Sequence, residues 1–79
     1  MTMTLSKTIQ LLNKILETCG DGEIEPDAYE GFDFSFVVDA GKGYMKPIAT
    51  VTMSDNTCTI RELDDECMPI RGSEVKLQV

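Results

Sequence analysis

Histidine and tryptophan are absent from this 79-residue chain, and basic residues are few, 7 lysines and arginines against 14 aspartates and glutamates. Without histidine, one chain cannot assemble a Cys-His nucleophile pair, a Ser-His-Asp triad or an imidazole-ligated metal site. Cysteine is scarce as well. Cys19, Cys58 and Cys67 are odd in number, and no two have the two-residue gap of a zinc or redox motif, so reduced thiols and no metal are expected. No apolar run approaches the ~18–20 residues of a membrane-spanning helix, and the opening Met1-Thr2-Met3-Thr4 has neither the basic nor the apolar part of a secretory signal. These absences predict a cytoplasmic protein. The length predicts a single domain over residues 1–79 with a modest core, because folded chains of this size hide only about 60–65% of their unfolded surface.

What is present has clear periodicity. Leu5, Ile9, Leu12, Leu16 and Cys19 recur at intervals of four, three, four and three, with Leu11 and Ile15 widening the stripe, which predicts an amphipathic helix over residues 4–19. Thr4 is the expected N-cap and Gly20 the expected exit. Strands are predicted at about 22–25, 32–39, 48–53, 57–63 and 74–79. Phe32, Phe34 and Phe36 alternate with Asp33 and Ser35, so all three phenylalanines are expected on one face of a strand and, with the helix, in the core. Val37 and Val38 break that alternation, through either a bulge or partial cover on both faces. Pro47 is expected to limit regular pairing just before its strand. Ser54-Asp55-Asn56 reads as a hairpin turn, and Asp64-Asp65-Glu66 as a charged loop. The fold class is therefore α+β, one N-terminal amphipathic helix packed on a three- to five-stranded antiparallel meander sheet.

The leucine-rich helix, the step Gly20-Asp21-Gly22-Glu23-Ile24, the variable loop and the strand of residues 48–53 leading into a hairpin together resemble a group of small uncharacterised proteins of bacteriophage and prophage genomes. The likeness covers roughly residues 5–63. It implies an α+β fold and a bacterial host cell, and it transfers no active site.

The acids are unevenly distributed. No basic residue lies between Lys14 and Lys42, whereas Glu17, Asp21, Glu23, Glu25, Asp27, Glu30, Asp33 and Asp39 do, and Glu62, Asp64, Asp65 and Glu66 form a second cluster. Such a field repels nucleic acid and attracts a basic protein surface. The plain reading is that a net charge of −7 keeps a small domain dissolved. The sharper reading is a contact surface, in its extreme a nucleic-acid mimic, made by Glu23, Glu25, Asp27, Glu30, Asp33, Asp64, Asp65 and Glu66 and flanked by Tyr29 and Tyr44. Residues 21–32 only superficially resemble a calcium loop, since Pro26 stands at the sharp-turn position and Phe32 where a bidentate glutamate is needed. No catalytic residue, metal or cofactor is expected. Two functions follow from this charge map: a phage-type accessory protein that binds and modulates, most concretely inhibits, a host or phage protein such as a defence or nucleic-acid-handling enzyme, or a structural protein that oligomerises, as a homodimer at its simplest, through a sheet edge.

Overall fold

The computed structural model describes residues 3–27 and 32–79. Helix α1 (Leu5–Cys19) opens the chain, followed by five strands, β1 (Glu23–Pro26), β2 (Phe34–Asp39), β3 (Met45–Met53), β4 (Thr57–Glu62) and β5 (Val75–Gln78). They form one antiparallel sheet in the order β1-β2-β3-β4-β5, a plain meander in which each strand pairs with its neighbours in sequence. The helix lies on one face. At its start Thr4 has an extended backbone, and its hydroxyl accepts the Lys7 N–H at 3.2 Å, satisfying one of the amides that the first turn leaves without a helical partner. At its end Gly20, with φ +79, donates its N–H to the Leu16 carbonyl at 2.9 Å in a conformation costly for a residue with a Cβ.

Strand register sorts the side chains onto two faces. Pro26, Phe34, Val51, Ile60 and Val75 share one row across all five strands, and Ile24, Phe36, Ala49 and Glu62 share the row two residues away. These rows face the helix. The rows between them, Glu25-Ser35-Thr50-Arg61 and Thr52-Thr59-Lys76, are polar and face outward. The core consists of Leu11 and Ile15 from α1 packed with Phe34, Val51, Met53, Cys58 and Ile60, and Met3, Phe36, Leu77 and Val79 close its margin. The rings of Phe34 and Phe36 meet edge to face, 5.9 Å apart.

Four expectations are corrected by this arrangement. Phe32 lies outside β2 and is 46% exposed, so two phenylalanines reach the core side and the third does not. The irregularity foreseen at Val37-Val38 sits on the opposite strand: Phe36 pairs with Ala49 and Val37 with Pro47, which leaves Ile48 as the extra residue in β3. Pro47 is inside β3, since β4 pairs only with Ala49–Met53 and β3 is locally an edge at the proline, where the missing N–H interrupts no ladder. Finally, the seam that defined the helix in the sequence points to solvent. Leu5, Ile9, Leu12 and Leu16 are 76%, 50%, 43% and 51% exposed, and Leu11 and Ile15 are the residues that enter the core.

Candidate functional site

Glu23 and Glu25 lie on β1, an edge strand whose four residues are all exposed. Two residues apart on a strand, they project to the same face about 6.6–6.8 Å from each other, and their pairing with Val37 and Ser35 sets them on the face opposite the helix. Asp27 continues the line beyond β1, where its N–H donates to the Asp33 carbonyl at 2.8 Å. Asp33 itself is half-buried, and its carboxylate accepts the Met53 N–H at 2.8 Å. That oxygen ties β3's last residue to the segment entering β2 and faces inward. Tyr29 and Glu30 lie outside the described residues.

The second acidic cluster is separate. Glu23 shares its row with Val37, and the chain after β4 leaves the sheet at the same end three strands away, roughly 14 Å at ordinary strand spacing. That exceeds the Debye length of ~8 Å at physiological ionic strength, although Asp21, Glu23 and Glu62 line one cleft between them. Within the second, the Asp64 carboxylate accepts the N–H groups of Glu66 at 2.9 Å and Met68 at 3.0 Å, building the turn from inside. Asp65 pairs with Lys46 at 3.3 Å, and Glu66 is exposed. Arg61 is engaged elsewhere, 2.9 Å from Glu74, which Lys76 also approaches at 3.5 Å. No ion pair found among the described residues neutralises Glu23 or Glu25.

Tyr44 stands 57% exposed in the β2–β3 hairpin, where its N–H bonds the Gly41 carbonyl and its carbonyl accepts the Ala40 N–H, both at 2.9 Å. This hairpin is at the Glu23 end of the sheet, since Asp39 pairs with Met45 there. Glu23, Tyr44 and the Asp64 turn therefore share one end of the molecule, while Asp27 and Asp33 occupy the other. Among the described residues no group of three or more cysteine, aspartate or glutamate side chains converges as a metal site requires.

Sequence reasoning missed an apolar concavity. A cleft of about 600 Å³ opens on the helix side of the sheet beyond the end of α1, lined by Cys19, Phe36, Val38, Ile48, Val75 and, at its polar rim, Glu62. A smaller one of about 250 Å³ runs between α1 and strands β1 and β2. Both exist because a single helix about 10 Å wide cannot cover five strands spaced ~4.8 Å apart. The signal was present in the sequence as two overlapping apolar registers on one helix. No protein family, curated protein or solved structure matches the chain. No helix is long and apolar enough to cross a membrane among the described residues.

Proposed function

We propose that this chain is a small acidic binding protein that engages a protein partner with a basic surface through the β1 edge, with Glu23 and Glu25 as its principal contacts and Asp27 extending the line. The observation that carries the reading is the pair of carboxylates on one face of a fully exposed edge strand, with no cation among the ion pairs of the described residues to offset them. Carboxylates in a row attract lysine and arginine side chains over a distance and fix their register on contact. Modulation of a host or phage protein, most concretely inhibition of a defence or nucleic-acid-handling enzyme, is the biological form of this proposal, in a bacterial cytoplasm. Tyr44 and Glu66, at the same end of the sheet as Glu23, are secondary contacts. The acidic-surface reading is narrower than the sequence implied, since Asp33 and Asp64 spend carboxylate oxygens on the chain's own amides.

The alternative of assembly through a sheet edge is less well supported at β1, where Glu23, Glu25 and Pro26 together discourage a like strand from pairing. The test is capture from bacterial lysate at low and high salt, with the native chain and with a variant combining Glu23→Lys and Glu25→Lys. Partners released by salt and lost with the variant are expected. Recovery of the same proteins by both, at either salt, would refute the acidic edge.

A further inference from the structure

The outward face of α1 is explained neither by the core nor by the acidic edge. Leu5, Ile9, Leu12 and Leu16 form a continuous exposed row, and Cys19, also exposed, completes it. Their spacing of four, three, four and three is that of the a and d positions in a helix-on-helix seam. At 100° per residue this row is centred about 100° around the helix from Leu11 and Ile15, so one helix carries two apolar faces, and the sheet uses only the second. We infer that the first face is where a second copy of this chain docks, the two α1 helices packing on one another.

Three observations select a second copy as the occupant. The seam is bordered along the helix by Ser6, Thr8, Asn13 and Ile15, none of them charged, so no charge at the helix's own margins opposes a like seam. The helix holds Lys7 and Lys14 against Glu17, a balance of +1 in a chain whose net charge is −7. Two such acidic molecules repel each other over much of their surface, and α1 adds no net negative charge to that repulsion. The third is area and shape. Leu12 and Leu16 border the smaller cleft together with Ile24, Phe34 and Phe36, so the row continues onto the uncovered part of the sheet. With the 49% exposed Ile24 it offers roughly 500 Å² of apolar surface per copy, which with its polar margin approaches the about 800 Å² per partner of a standard interface. A two-fold axis at Leu12 would set the helices antiparallel, with Leu5 of one copy near Cys19 of the other and Ile9 near Leu16, an isologous contact that closes at two subunits.

The inference is independent of the acidic edge. It is tested by sedimentation equilibrium of the full chain across a concentration series, with Leu12→Glu, Ile9→Gln and the Glu23→Lys, Glu25→Lys pair run in parallel and folding followed by circular dichroism. A dimer is expected for the native chain and the lysine pair, and a folded monomer for Leu12→Glu and Ile9→Gln. Should Leu12→Glu fail to fold, Ile9→Gln carries the comparison, and Leu5→Cys under mild oxidation should give a covalent dimer that the native chain does not. A native chain that stays monomeric throughout, a dimer untouched by the helix substitutions, or one abolished by the lysine pair would overturn it.

Discussion

Neighbouring leucines on α1 have opposite fates. Leu11 is fully buried against the sheet and Leu12 is 43% exposed. Leu11→Ala should therefore cost about 2–5 kcal/mol, the usual range for emptying a core position, while Leu12→Ala should stay within about 0.5 kcal/mol in the monomer. Urea unfolding at low protein concentration measures both. Asp33 has a comparable local role, accepting the Met53 amide at 2.8 Å, and Asp33→Ala should lose about 1 kcal/mol in the same assay, whatever it does to partner binding. Glycine matters at Gly20, whose φ of +79 leaves room but strains any other residue, whereas at Gly22 an added Cβ would stand 3.4 Å from the Phe36 ring, close to ordinary contact.

At the scale of elements, the helix is held at its start by a single side-chain cap and along its length by tertiary packing, since an isolated 15-residue helix is marginal in water. Thr4→Ala should cost about 1 kcal/mol, read as a fall in the thermal midpoint with the fold retained. The far end of the helix side is fastened by Lys14, whose ammonium donates to the Gln78 carbonyl at 2.5 Å and so joins α1 to β5. With the helix drawn toward β5, the strands at the other edge are left with Ile24 uncovered and the smaller cleft open. The bulge at Ile48 has a parallel effect in β3, placing a 42% exposed isoleucine in the larger cleft.

For the molecule as a whole, charge and burial set the response to solution conditions. Added salt should raise stability by screening the self-repulsion of a chain at −7, even as it weakens attraction to a basic partner. Burial pushes the Cys58 thiol above its ordinary value of 9.0, only partly offset by a backbone hydrogen bond from Leu77. The folded state then keeps a proton that the unfolded chain releases, so this contribution is complete below about pH 9 and is lost as pH rises through the higher folded value. The thermal midpoint should fall as pH rises above about 9, and less steeply in Cys58→Ala. Thiol labelling of the native protein should modify exposed Cys19 quickly and buried Cys58 only on unfolding.

The α+β class, the N-cap at Thr4 and the hairpin at residues 54–56 were legible from the residues alone, because each depends on interactions between near neighbours in the chain, whereas the count of five strands and their order came with the sheet. Periodicity also announced an amphipathic helix, but with two overlapping apolar rows it held no information about which one the sheet would take. That choice, the exposure of Phe32, the bulge at Ile48, the inward turn of the Asp33 carboxylate and the separation of the acidic clusters were decided by tertiary structure. The physical reason is common to all of them. They depend on which distant segment comes to lie opposite a side chain, and a one-residue change of register exchanges the buried face of a strand for the exposed one.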